Sequence, residues 1–329
     1  MDRGTSLISR YAENPLNAPP GELYGIEVEV EQFDPTHRAT EARALSRYWN
    51  LKEDGSLRNN GLEFVSKFLT PATRSTAVHH LYARTRQLWA PTERTGVHVH
   101  ANMLGRTLDE VLRIVTYYAF LEPLLFHYVG AAREENIFCV PWYRAPEEAA
   151  TVHAALLSDL WPLRESCKYS ALYCGPLRTF GTIEFRHAPT WPDPQSLTTW
   201  GELVECISRS YLLPDPIEVY AVDGIVPLAR SVFGSLMGVL GLTDEEIEQA
   251  VARTGAEEVA LTFQANTYKE PVPWGVPGQF YVAGQAEDSR TEWYSVAPRS
   301  RPRMEVRPLG PFDEPDDQEP ESEDEEGDE

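Results

Sequence analysis

Cysteine is scarce in this chain: Cys139, Cys167, Cys174 and Cys206 are the four in 329 residues. Their irregular spacing fits neither a disulfide framework nor a zinc ribbon, so reduced thiols are expected. Long apolar runs are also missing. No stretch approaches the ~18 uncharged residues of a membrane helix, and the opening MDRGTSLISR has no apolar signal core. The expectation is a soluble, cytoplasmic protein with no membrane partner. Positive charge is in short supply, with 29 Lys and Arg against 51 Asp and Glu for a net charge of −22. That balance argues against direct nucleic-acid binding by a simple basic domain. The chain has no G-x-x-x-x-G-K-[ST] loop, no G-x-G-x-x-G after a strand and no H-E-x-x-H helix. A nucleotide site here is therefore of another kind, and metal-assisted hydrolysis of the helical type has no motif behind it.

What is present is a core-forming composition, 42% hydrophobic and 11% aromatic, at a length for one large domain or two. The acidity is uneven. Residues 313–329 carry twelve carboxylates and no Lys or Arg, leaving about −10 on the rest of the chain. Such a run repels itself and buries nothing, which predicts a disordered tail over 311–329, a solubiliser or a docking arm for a basic partner. Residues 1–21 contain the Pro-rich AENPLNAPPG and form a lead-in.

Alternating runs at residues 23–31, 62–67, 97–101 and 182–186 predict half-buried strands. Helical patterns fall over 40–49, 73–89, from a Thr107/Glu110 capping box onward, over 194–212, and from Thr243/Glu246 to about 253. After residue 258 the reading is Pro-rich extended chain. Alternating rather than continuously apolar strands exclude a doubly wound parallel sheet and predict an α+β fold, largely antiparallel, with helices on one face and a polar face toward a cleft. The expected organisation is a domain over 22–215, a helical and extended extension over 216–310, and the tail.

Residues two apart on a strand share a face, so Glu27, Glu29 and Glu31 lie together opposite Ile26, Val28 and Val30. The same parity groups His98 with His100 and Glu184 with Arg186. Glu63 follows the turn Asp54-Gly55-Ser56 on a further strand. Were these strands neighbours, Glu27, Glu29, Glu63, Glu184 and a histidine would converge on a hard cation, Mg²⁺ or Mn²⁺ rather than zinc. Arg133, Lys168, Arg178 and Arg186 recur nearby. Arginine forks suit phosphate or carboxylate, which points to a nucleoside triphosphate held through its metal.

The ordered set Gly25-Ile26-Glu27-Val28-Glu29, Asp54-Gly55-Ser56, Glu63-Phe64-Val65-Ser66 and Gly96-Val97-His98-Val99-His100 resembles the amidoligase family of the glutamine-synthetase-like carboxylate–amine ligase superfamily. So do Arg133-Glu134-Glu135-Asn136-Ile137-Phe138-Cys139, Lys168-Tyr169-Ser170-Ala171-Leu172 and Thr182-Ile183-Glu184-Phe185-Arg186, over residues 24–191. The resemblance implies a curved antiparallel sheet whose concave face binds ATP and two divalent ions. It also implies metal ligands at Glu27, Glu29, Glu63, His98 and Glu184, with His98 ranking above His100. Cofactor contacts are expected at His98, Arg133 and Arg178, and catalytic roles at Arg186, Asp54 and Lys168. Asp54 is the candidate base for an attacking amine. Tyr173 stands where the family carries asparagine, and Ala131-Ala132 lacks the small hydroxyl residue before Arg133. The implied activity is ATP-dependent amide or isopeptide formation between a carboxylate and an amine, either of them free or attached to a peptide or protein. The alternatives are a non-catalytic regulatory protein that recruits a basic partner with its tail, and a phosphotransferase on the same scaffold.

Overall fold

The computed structural model describes residues 7–13, 15, 23–157 and 168–267. Most of the Pro-rich lead-in, Cys167, the aromatic and Pro-rich segment 268–284 and the acidic tail lie outside the described residues.

Six strands form one antiparallel sheet in the order β2-β3-β1-β4-β6-β5: β1 (Tyr24–Val30), β2 (Trp49–Lys52), β3 (Leu62–Ser66), β4 (Gly96–Asn102), β5 (Leu172–Tyr173) and β6 (Thr182–Pro189). Alternation dictates the faces. Ile26, Val28, Val30, Phe64, Val97, Val99, Ile183 and Phe185 are buried in one continuous core, while the residues between them form the opposite, polar face. The α+β expectation with an antiparallel sheet is met, and the four expected strands form. Two further strands, β2 and β5, lie on the edges. β5 is only two residues long, too short for a period-2 pattern to mark it.

Twelve α-helices accompany the sheet among the described residues: α1 (Arg38–Leu45), α2 (Pro71–Thr85), α3 (Leu108–Val129), α4 (Ala131–Glu134), α5 (Pro146–Leu157), α6 (Pro176–Thr179), α7 (Pro194–Ser208), α8 (Pro216–Asp223), α9 (Ile225–Phe233), α10 (Met237–Leu240), α11 (Asp244–Thr254) and α12 (Ala256–Thr267). The Thr107 cap forms as expected: its hydroxyl accepts from the Glu110 amide at 3.2 Å and Glu110 accepts from the Thr107 amide at 2.7 Å. Thr243 and Glu246 repeat the arrangement. The helix α3 is apolar on nearly every side. Such a helix needs cover on all faces, and α3 packs against β6 and α7 as well as α11 and α12.

Three expectations need correcting. The helix expected over 40–49 ends at Leu45, because Trp49 is claimed by the sheet: it pairs with Ser66, is fully buried, and donates its indole N–H to the Ala77 carbonyl at 2.9 Å. Tertiary burial overrides local propensity there. Residues 259–267 are not extended but continue α12, and the rest of that expectation lies outside the described residues. Ala256, Val259, Ala260 and Phe263 follow helical spacing, and Phe263 stacks on the His153 ring at 4.7 Å. The helix expected over 194–212 ends at Ser208 and closes with a 3₁₀ turn, Ser210–Leu212.

Because Leu121 of α3 is fully buried and Val222 is 82% exposed, urea unfolding should show Leu121→Ala losing about 2–5 kcal/mol. Val222→Ala should stay within about 0.5 kcal/mol of the wild type.

Candidate metal and phosphate site

Cross-strand register assembles the polar face. Glu29 on β1 stands opposite Glu63 on β3, Glu27 opposite His98 on β4, and His100 opposite Glu184 on β6. The result is a diagonal ribbon of carboxylates and imidazoles across four neighbouring strands. His98 lies between its neighbours, with Nδ1 3.3 Å from Glu184 and 3.5 Å from Glu27, and Nε2 3.8 Å from Glu29. His100 Nε2 lies 3.6 Å from Glu27 and 4.0 Å from Glu184, while its Nδ1 meets the Thr182 hydroxyl at 3.2 Å. That second contact orients the ring, as a partner on the outer nitrogen does for metal-binding histidines.

Three overlapping groups bring ligand atoms within 4.8 Å of one another: Glu27, Glu63 and His98; Glu27, His100 and Glu184; and Glu29, Asp54 and Glu63. Every residue expected as a metal ligand is in this ribbon. His100 is an addition: the G-x-H-x-H parity placed it on the right face, but only the register shows that its ring reaches Glu27 and Glu184. A hard divalent cation fits the donor set, which is oxygen-rich with imidazole and no thiol.

The electrostatics point the same way. Burial and the charges of Glu27, Glu29 and Asp54 push the Glu63 carboxyl up to about 8. Burial also opposes ionisation of Glu27, but hydrogen bonds from His100 and then His98 outweigh it and hold its carboxyl far below the usual range. For His100 burial favours the neutral ring, and Glu27 with Glu184 overrides it and raises its pKa. The ribbon thus carries more negative charge than its own cations balance. Glu27 keeps 25% of its side-chain exposure, so solvent reaches the ribbon.

Glu31 leaves the set. It accepts from the Arg58 amide at 2.8 Å and the Thr92 hydroxyl at 3.1 Å, and so anchors loops. Glu29 is held by the Gly96 amide at 2.8 Å. A side chain at Gly96 would meet the Arg133 guanidinium at 3.2 Å, which accounts for the glycine opening G-V-H-V-H.

The cations expected at the site lie in different surroundings. Arg186 ion-pairs with Glu184 and faces the ribbon. Arg133 is buried, with Nε donating to the His187 carbonyl at 2.7 Å and a terminal nitrogen to the Arg186 carbonyl at 2.9 Å. Arg178 pairs with Glu13 at 2.8 Å, and Lys168 is exposed. Asp54 does form the expected turn, accepting from the Ser56 amide at 2.8 Å, and joins Glu29 and Glu63 as well. Tyr173 pairs in register with Glu184, and its ring lies over Gly175, so it borders the site. Arg94 went unnoticed in the sequence. It donates to the Ser56 carbonyl at 2.9 Å and sits 6.0 Å from the Phe138 ring, tying the Asp54 turn to the loop after α4.

Comparison with protein-family models gives no match, and comparison with curated proteins gives none.

Since Glu63 holds its proton to a higher pH in the folded chain than unfolded, its stabilising contribution is complete below about 4.5. The contribution is lost as pH rises toward about 8. Melting of the metal-free protein from pH 5 to 8 should therefore show a decline that Glu63→Gln removes. The same variant should weaken Mn²⁺ binding by about tenfold or more. An unchanged pH slope would refute the repulsion.

Proposed function

We propose that the chain is an ATP-dependent carboxylate–amine ligase, using Mg²⁺ or Mn²⁺ on a glutamine-synthetase-like sheet to make an amide or isopeptide bond through an acyl phosphate. The observation that carries this reading is the ribbon of Glu63, Glu29, Glu27, His98, His100 and Glu184 across four strands, with Arg186 at its end. Divalent ions would be held by Glu27, Glu63 and His98 and by Glu27, His100 and Glu184. When bound, they neutralise phosphate charge and lower the repulsion that an anionic nucleophile meets at phosphorus.

A carboxylate at neutral pH is a poor electrophile, so one oxygen must first become a leaving group. The substrate carboxylate forms a bond to the terminal phosphorus of ATP as the bond to ADP breaks. The amine then attacks the acyl carbon and phosphate departs. Arg186 contributes a planar cation to the phosphoryl oxygens. Asp54, with one oxygen fixed by Ser56, takes the proton the amine must lose. Carboxylate and amine are the substrate classes, free or peptide-linked.

Thermal unfolding of the full chain with ATP and Mg²⁺ tests the nucleotide site. Ligand at about 100 times its Kd should stabilise the wild type by about 2.7 kcal/mol, and Glu184→Gln should lose most of that gain. No shift at millimolar ATP with either Mg²⁺ or Mn²⁺ would sink the reading. Mass spectrometry of products formed from carboxylate and amine mixtures then decides the chemistry, because an N-phosphorylated amine in place of an amide would establish phosphotransfer.

A further inference from the structure

The strand β6 is not regular. Val99 pairs with Phe185 and His100 with Glu184, but Val97 pairs with Ala188, so the register shifts by one between Val97 and Val99. Two residues, Arg186 and His187, therefore stand opposite His98 alone. An extra residue of this kind bends a strand, re-aims side chains and leaves backbone groups without ladder partners. Here it separates neighbours sharply. Arg186 faces the ribbon and pairs with Glu184, while His187 points the other way and is fully buried.

Both halves of the irregularity are fastened. On the backbone side, the carbonyls of Arg186 and His187 accept the two donors of Arg133 already described, at 2.9 and 2.7 Å. On the core side, the His187 ring meets the Tyr118 hydroxyl at 3.0 Å, and Tyr118 donates to Glu122. Glu122 accepts in turn from the Trp142 amide at 2.9 and 2.8 Å and the Tyr143 amide at 3.3 Å. Burial holds His187 neutral, with the Arg133 charge adding to it, at a pKa of about 3. A neutral ring that donates from Nε2 suits the Tyr118 oxygen.

Arg133 is 5% exposed, its Nε and one terminal nitrogen are committed to main-chain oxygens, and that terminal nitrogen lies over Gly96, where a Cβ would crowd it. An arginine that recognises phosphate needs its fork free to point at the anion. We propose that Arg133 is a positioning residue, which fastens the bulge in β6 and so aims Arg186 at the carboxylate ribbon, without contacting the anion itself. In naming which guanidinium faces the phosphoryl group the inference rests on the ligase reading, and the experiment separates the two.

Arginine side-chain ¹⁵N–¹H spectra of the full chain, recorded without nucleotide or metal, follow Arg186 directly, with Arg186→Lys identifying its Nε–H signal. In Arg133→Met that signal should move to the position of a solvent-exposed arginine, and the amides of residues 186–188 should exchange at least about tenfold faster while those of β1 keep their protection. Arg133→Lys should restore part of both. Gly96→Ala, which crowds the guanidinium without removing it, gives the same reading should Arg133→Met fail to fold. An Arg186 signal unchanged in Arg133→Met, or in Gly96→Ala where that variant must serve, overturns the inference, whatever the nucleotide does. If wild type binds ATP with Mg²⁺, Arg133→Met in an Arg186→Met background should cost no further affinity. A further, additive loss would mean that Arg133 touches the nucleotide and would also overturn the inference. Absence of ATP binding by the wild type overturns the ligase reading alone, and the Arg186 signal still decides the role of Arg133.

Discussion

Like charges directly opposite one another across a sheet are destabilising, and here the register sets Glu29 against Glu63 at the middle of the polar face. Much of the surrounding structure answers that conflict. The Gly96 amide takes one Glu29 oxygen, His98 is inserted among Glu27, Glu29 and Glu184, and Arg186 covers the far end. What remains is a carboxyl at Glu63 that keeps its proton near neutral pH, a deficit of positive charge that a divalent cation would fill. Carboxylates brought this close cost stability where nothing offsets their charge, a cost of the kind met where stability is traded against function.

The ribbon can stand in tension because the opposite face of the same strands is ordinary core. Ile26, Val28, Val97, Val99, Ile183 and Phe185 are fully buried. Burial of each such side chain is worth about 1.5–3 kcal/mol, enough in sum to fix the register against electrostatic repulsion. A slip of one residue would turn every glutamate into the core. The tight packing behind the sheet thus selects the geometry in front of it.

The irregular strand β6 carries the most specialised contacts. The bulge in β6 divides Arg186 from His187, giving one residue to the ribbon and the other to a buried network with Tyr118 and Glu122. Burial pushes the Glu122 carboxyl up to about 7, against the pull of Tyr118 and the Trp142 and Tyr143 amides. Polar groups so deeply placed are costly unless satisfied; Tyr118 and Glu122 find partners, whereas His187 bonds through Nε2 and its Nδ1 has none among the described residues.

By itself the sequence determined the period-2 faces of four strands, the α+β class, the capping boxes and the side of the sheet on which the carboxylates and histidines lie. Each is a local property, set by residue spacing of two or by a hydroxyl three residues before a glutamate. Strand order, the pairing of Glu27 with His98 and of His100 with Glu184, and the edge strands β2 and β5 are long-range, and only the tertiary structure decided them. The same holds for two of the arginines. Strand parity set Arg186 beside Glu184, but Arg133 and Arg178 read alike as cations near a motif, and one fastens a bulge while the other pairs with Glu13. A guanidinium's role depends on which oxygens meet its fork, and those oxygens come from residues as far as 165 positions away in the chain.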